Sequence, residues 1–229
     1  MISVIIPTLN AEAGLAATLT ALVPATVDGI VREVIIVDGG STDRTATIAD
    51  QAGAHFVTRS GGRGYQLHAG AHRARFPWLL FLHADSILQP GWEREVTALM
   101  DSVDSGKRPP KAAAFRLALD DRGMGPRLLE WLVRLRCALF RLPYGDQGLL
   151  MPKSLYGEIG GYSPVPLMED VDIARKLGRR RIIMLHAIAL TGAHRFQRSG
   201  YLLRPARNLM CLGLYFLRVP TTVIARLYG

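Results

Sequence analysis

The chain has 229 residues, of which 49% are hydrophobic and 21% charged, and a formal net charge of +9 at neutral pH. That length suits one α/β core, and the charge favours an anionic partner: a phosphorylated small molecule, nucleic acid or a membrane surface. Two distant cysteines in apolar segments, Cys137 and Cys211, exclude a disulfide framework or thiolate metal centre, and the uncharged stretch Asn208 to Leu217 is far below the roughly 20 residues that span a bilayer.

Met1-Ile-Ser-Val-Ile-Ile lacks a basic leader and runs directly into a predicted strand, so no signal peptide is expected and a reducing cytoplasm is the default. Ser3 to Pro7 reads as a short buried strand stopped by proline, followed by the loop Thr8-Leu9-Asn10. Leu15, Leu19 and Leu22 recur at helical spacing, which predicts a helix over 11–22 ended by Pro24. Glu33 to Val37 is the second strand, and Asp38-Gly39-Gly40 closes it with a turn that permits close backbone approach to a ligand. Ser41 or Thr42 is expected to cap a helix over 44–51, whose free amides can face an anion. An Asp at this place suits a base or ribose edge.

His55 to Val57 is a short third strand. Ser60-Gly-Gly-Arg63-Gly-Tyr-Gln66 then opens a helix through Ala69, Ala71 and Ala74. The loop lacks both the third glycine of the dinucleotide fingerprint and the Lys-Ser/Thr of a P-loop, but it sets Arg63 among flexible glycines where a guanidinium could clamp a diphosphate. Trp78 to Leu82 is an unbroken apolar run, the pattern of a central strand buried on both faces. It breaks into His83-Ala84-Asp85, where a carboxylate beyond a strand end is placed for chemistry. Imidazole and carboxylate two residues apart on extended backbone share a side, which suits a divalent metal carrying phosphate oxygens.

A helix over 92–100 completes a β-α repeat that implies a mostly parallel sheet binding ligands along one edge. After the polar connection 102–111 come a strand over 112–119 and a helix from Pro126 to Arg141. Arg127, Glu130, Arg134 and Arg141 share one stripe of that helix; its other faces are apolar, for packing in the core, the favoured reading, or for lying against lipid. Tyr144 to Gly148 is a loop and Leu149 to Met151 a strand. Glu169-Asp170 opens a helix that ends at Gly178, either serving the helix dipole or presenting a general base. No Asp or Glu follows Asp172, whereas arginines alternate with Leu, Ile, Val and Phe to the end of the sequence. That mixture favours a bilayer interface over nucleic acid.

Taken in register, Ile5-Ile-Pro-Thr-Leu-Asn10, Val37-Asp-Gly-Gly-Ser-Thr-Asp43, the loop around Arg63, His83-Ala-Asp85, Gly145-Asp-Gln-Gly148 and Glu169-Asp170 resemble the family 2 glycosyltransferases of GT-A fold. More narrowly, the sequence resembles a small bacterial branch with His-Ala-Asp in place of Asp-x-Asp. The resemblance implies one α/β, Rossmann-like GT-A domain, with a nucleotide-binding half over 1–100, an acceptor-binding half over 101–200 and an amphipathic helical segment over 201–229. It implies that Pro7, Thr8, Asn10, Glu12, Asp38, Gly39, Arg63 and Ala84 surround a nucleotide-sugar donor. Asp85, with His83 and His194, would hold Mn or Mg; Asp146 and Gln147 would meet the acceptor; Asp170, with Glu169, would supply the base of an inverting transfer. The family commonly places Glu directly after the loop asparagine; here Ala11 intervenes before Glu12. The expected setting is the inner face of the cell membrane, with a hydroxyl acceptor that could be lipid-linked. The rival readings are a nucleotidyltransferase and a non-catalytic basic binding module.

Overall fold

The computed structural model describes residues 1–192 and 203–228. Its centre is an eight-stranded sheet in the order β3-β2-β1-β4-β7-β6-β8-β5. The strands are β1 (Ile2–Thr8), β2 (Val31–Asp38), β3 (His55–Thr58), β4 (Trp78–Phe81), β5 (Ser86–Leu88), β6 (Ala112–Asp120), β7 (Leu149–Pro152) and β8 (Ile182–Gly192). Parallel pairing joins β3, β2, β1 and β4, and also β6 and β8, while β7 and β5 run against their neighbours. The expected α/β class and mostly parallel sheet are therefore observed, with two reversed strands that the β-α repeat did not announce.

Helices α1 (Glu12–Val27), α2 (Thr45–Gln51), α3 (Arg63–Arg73), α4 (Trp92–Asp104), α5 (Met124–Phe140), α6 (Lys153–Glu158), α7 (Glu169–Leu177), α8 (Leu203–Phe216) and α9 (Thr221–Tyr228) flank the sheet or follow it. Side chains on a strand alternate between faces, so the unbroken apolar strands feed two cores at once. Ile5, Ile35, Val37, Leu79 and Phe81 enter one layer with Leu67 of α3 and Ile173 of α7. Val4, Ile6, Ile36, Trp78 and Leu80 enter the other with Leu15 of α1 and Trp92 of α4. Strand β4 is the centre of both, as its sequence predicts.

Three local expectations are corrected. Pro24 lies inside α1, which continues to Val27. Burial of Leu19, Leu22 and Ala25 on both sides of the proline holds the helix across the missing N–H. Neither Ser41 nor Thr42 caps α2; the Asp43 carboxylate accepts the Thr45 N–H at 3.0 Å, while the Ser41 hydroxyl turns back to Asp38. Helix α5 is not sunk in the core. Leu129, Val133 and Cys137 pack on Leu117 and Leu119 of β6, but Met124, Leu128, Trp131, Leu132, Leu135, Leu139 and Phe140 are exposed.

Candidate active site

The strand directions decide which residues meet. In β1, β2, β3, β4, β6 and β8 the carboxyl ends lie on one rim, and the two reversed strands bring their entrances to the same rim. The turn before β5 holds Asp85, and the 3-10 turn Gly145–Gln147 before β7 holds Asp146. Thr8 and Asp38, Phe81 and Leu149, and Ser86 and Thr191 are register partners along this edge. The Asp146 carbonyl accepts hydrogen bonds from the Ser86 hydroxyl at 3.2 Å and the Thr191 hydroxyl at 3.3 Å, which pins the turn across the end of the sheet.

At the β1–β2 end of the rim two loops are laced together. Asp38 is buried, and its carboxylate accepts from the Thr8 hydroxyl at 2.8 Å, the Gly40 N–H at 2.9 Å and the Ser41 N–H at 2.7 Å. Burial pushes this carboxyl up, but the bonds from Ser41, Thr8 and Gly40 together outweigh it and hold it below its ordinary value. Asn10, in the left-handed conformation that asparagine tolerates, accepts the Thr42 N–H at 2.9 Å. Glu12 accepts the Arg44 N–H at 3.1 Å. Pro7 is buried in β1, and the Gln66 amide bridges the Thr8 and Val37 carbonyls at 2.7 and 2.9 Å beneath Gly39. These residues form a rigid shelf beside the cavity described next, and they are not among its lining.

That cavity, about 110 Å³, is lined by Arg63, His83, Asp85, Asp146 and Asp170 together with Tyr144, Gly145, Met168, Thr191, Asn208 and Tyr228. His83-Ala84-Asp85 is a turn rather than extended backbone: β4 ends at Phe81, and the Ser86 N–H returns to the His83 carbonyl at 3.2 Å. Both side chains nonetheless border the same space. Helix α1 sits close behind the turn, since a Cβ on Gly14 would stand 3.0 Å from the Ala84 carbonyl oxygen and 3.2 Å from Asp85. The Ala84 carbonyl also accepts the Thr18 hydroxyl at 2.9 Å.

The glycines around Arg63 do not make a flexible anion loop. A Cβ on Gly62 would lie 2.7 Å from Pro166, and one on Gly64 would lie 2.4 Å from the Val165 carbonyl oxygen. Their absence lets the start of α3 dock on the 163–166 backbone, with Arg63 as the first helical residue. Arg63 Nε then meets buried Glu169 at 3.0 Å. Left-handed Met168 (φ 66°) turns the chain sharply into α7, so that Glu169 points inward to Arg63 while Asp170 borders the cavity. Asp170 accepts the Gly145 N–H at 3.2 Å and the Val171 N–H at 2.8 Å.

Charge is crowded here. Burial is the main cause that lifts the Asp146 carboxyl to about 6; Arg136 opposes it, and Asp170 and Asp85 add to the rise. Its Oδ1 is buried without a hydrogen-bond partner among the described residues, as is Glu169 Oε2. Burial likewise raises Glu169 by more than Arg63 lowers it, with Asp170 adding to the effect, while Glu169 in turn raises Arg63. Gln147, by contrast, is buried and fully occupied: its amide donates to the Phe115 carbonyl at 3.0 Å and accepts from Arg136 at 3.2 Å. It ties α5 to the turn and does not line the cavity.

His194 lies outside the described residues. Among the described residues no three His, Cys, Asp or Glu side chains form a metal-binding group. A hard divalent cation carried on a diphosphate needs only one or two protein carboxylates, a demand the cavity's donor set can meet. Tyr144, Thr191, Asn208 and Tyr228 escaped sequence reasoning. Tyr144 adjoins the Gly145-Asp-Gln-Gly148 motif and Thr191 ends a long strand, whereas Asn208 and Tyr228 carry no local signal.

Residues 3–106 match the model of glycosyl transferase family 2. A PGL/p-HBAD biosynthesis glycosyltransferase of Mycobacterium tuberculosis is 30% identical over 178 residues, covering 71% of this chain and 63% of that protein. An uncharacterised glycosyltransferase of the same species is 32% identical over 149 residues, 63% of each chain. The chain thus spans less than two thirds of the length of these relatives. Among solved structures, glucosyl-3-phosphoglycerate synthase from Mycobacterium tuberculosis, in complex with Mn2+, UDP and glucosyl-3-phosphoglycerate, superposes with a TM-score of 0.57 at 25% identity, over 84% of this chain and 70% of that one. Residues 1–349 of S. aureus TarS in complex with UDP give a TM-score of 0.61 at 19% identity, over 86% and 62%, a likeness of fold alone. Residues 3–106 thus match glycosyl transferase family 2, and the sheet has the GT-A arrangement.

Proposed function

We propose that this protein is an inverting glycosyltransferase that moves a sugar from a nucleotide-sugar donor to an acceptor hydroxyl. The observation that carries this reading is the convergence of Arg63, His83, Asp85, Asp146 and Asp170 on one cavity at the rim where β1, β2 and β4 end. Residues 1–100 hold the donor and 101–200 the acceptor. The shelf of Pro7, Thr8, Asn10, Glu12, Asp38 and Gly39 carries the base and ribose, and the Ala84 backbone adjoins it. Arg63, kept charged by Glu169, faces the diphosphate. Asp85, with His83 beside it, would hold a divalent ion that offsets the charge of the departing diphosphate when bound. Complexes of the mycobacterial synthase with Mn2+ and UDP support Mn and a uridine donor.

Asp170 takes the proton from the acceptor hydroxyl as its oxygen bonds to the anomeric carbon. The bond from that carbon to the diphosphate oxygen breaks on the opposite face, the electron pair leaves with the nucleoside diphosphate, and the sugar is inverted. Asp146 accepts a hydrogen bond from the acceptor at its otherwise unpartnered Oδ1. The acceptor is a lipid-linked molecule at the anionic inner face of the cell membrane. What supports that is the acid-free, arginine-rich sequence after Asp172 and the exposed apolar residues of α5 and α8. No helix among the described residues is long and apolar enough to cross a membrane.

The test is UDP release from a panel of UDP-sugars with Mn2+, measured for wild type and Asp170→Asn. General-base removal should lower turnover by about 10² or more, while the melting-temperature rise produced by Mn2+ and UDP is retained. Equal turnover in the two proteins would end the assignment of Asp170. Absence of any UDP-dependent rise in the wild type would end the uridine donor.

A further inference from the structure

Beside the acidic cavity, and sharing Tyr144, Asp146 and Asn208 with it as lining, lies a second, larger hollow of about 780 Å³. Its walls are mostly apolar, chiefly Leu132, Val133 and Phe140 of α5 and Leu209, Leu212 and Phe216 of α8, with Leu117 of β6 and Ala174 of α7 adding to them and Arg136 and Arg141 also lining it. Arg175 and Arg179 also border it. Arg175 lies on α7, the helix that Asp170 helps to open, five residues or about 7.5 Å of helix beyond it, and Arg179 follows the Gly178 break that ends that helix. The hollow therefore joins the Asp146 carboxylate, next to Arg136, to a long apolar lining, with Arg175 and Arg179 on its α7 side.

Three features choose the occupant. The volume is that of a ligand pocket rather than of a flat protein interface. Leu132, Phe140, Leu209 and Phe216 are 45%, 61%, 69% and 55% exposed, a contiguous apolar surface of the kind that marks a binding groove. The hollow also shares Tyr144, Asp146 and Asn208 with the cavity that Asp170 borders, so a polar group in that cavity alone would leave these walls wet. We propose that the hollow between α5 and α8 receives the single hydrocarbon chain of an amphiphilic alcohol, whose hydroxyl end lies at Asp146 and Asp170. The chain leaves past Arg175 and Arg179, which face the anionic headgroups of the surrounding lipid. This deepens the transferase reading, on which it rests only for the role of the hydroxyl end.

The probe is a series of n-alkyl glucosides from hexyl to dodecyl, titrated calorimetrically into the full-length protein below their micelle concentrations. Affinity should rise about three- to fourfold per added methylene and level off once the hollow is filled. Leu132→Glu and Leu209→Glu, on opposite walls and both solvent-facing, should each weaken decyl glucoside at least tenfold. The melting-temperature rise given by Mn2+ and UDP should stay at its wild-type value in both, which also shows that they fold. Affinity independent of chain length, or unchanged in both variants, overturns the proposal. So does a concentration-dependent dimer that Leu132→Glu dissolves in a protein that binds no glucoside, since the walls would then belong to a second copy. UDP binding without chain binding defeats the hollow alone, whereas chain binding without UDP binding defeats the transferase reading and leaves a lipid-binding hollow.

Discussion

Replacing Asp146 by Asn should make the protein more stable near neutral pH. In the folded chain the Asp146 carboxyl titrates at about 6 against an ordinary 3.8. Two units at 1.36 kcal/mol each give at most about 3 kcal/mol. The sign follows from proton binding. Between pH 4 and 6 the folded state holds a proton on Asp146 that the unfolded chain has lost, so stability falls as pH rises through this window and is level above it. Asn has the size of Asp without the charge, so the variant escapes the fall. With EDTA present and nucleotide absent, wild type and Asp146→Asn should melt closest together near pH 4. At pH 7.5 the variant should melt higher, by at most about 6 to 12 °C, at 2–4 °C per kcal/mol for a chain of this size. Asp38 and Glu33, whose pKa values are lowered, give up stability only as pH falls below about 4.5; both proteins keep them, as they keep raised Glu169, so these contributions cancel in the comparison. Differential scanning calorimetry across pH 4–8 reads the effect. A variant that melts lower than wild type at pH 7.5, or a separation that does not change with pH, would show that Asp146 is not under the strain inferred from its surroundings.

Three further outcomes are expected. Gly145→Ala would place a Cβ 2.4 Å from His83 Nε2; the imidazole must swing away, so Mn2+-supported turnover should drop with little change in melting temperature, and unchanged turnover would make the position of His83 irrelevant. Gly64→Ala meets the Val165 and Ser163 carbonyl oxygens at 2.4 and 2.6 Å, backbone that cannot yield as a side chain can. It should lose about 1–3 kcal/mol by urea denaturation, whereas Gly157→Ala in α6, with nothing within 4 Å, should be neutral or gain up to about 1 kcal/mol. After chelation, Mn2+ should restore turnover at least as well as Mg2+, because imidazole suits Mn better; full recovery with Mg2+ and none with Mn2+ would remove His83 from the ion's ligands.

Strands β1, β2 and β4 were legible because they are apolar runs buried on two faces, although β1 is not stopped by Pro7 as expected but pairs through it to Thr8, opposite Asp38. Strand β8 was not read: Ile182 to Gly192 mixes buried and half-exposed positions with no flanking punctuation, and pairing with β6 and β5 defines it instead. Strand β5 has only three residues, too few for any period. Apolar pattern also records burial without direction, which is why the reversal of β7 and β5 was invisible. On α5 the spacing was read correctly as apolar on most faces, but periodicity cannot say what covers a face, and the core reading was wrong for most of them.

That unread reversal matters most for the site. A rule that ligands gather beyond the carboxyl ends of parallel strands accounts for Thr8, Asp38 and His83. It does not account for Asp146, which precedes a strand. Because β7 runs backwards, its entrance lies where its neighbours finish, and a turn that would otherwise sit at the far edge brings Asp146 to the cavity that Asp85, just past the end of β4, and Asp170 also border. The same reversal keeps Asp146 buried beside Asp85 and Asp170 with Arg136 as the main opposing charge. Crowding like this is unfavourable in the empty protein and favourable only when something positive, or a hydroxyl hydrogen, enters among the carboxylates. The placement of strands, more than any single motif, is what turns scattered acids into a site that calls for a ligand.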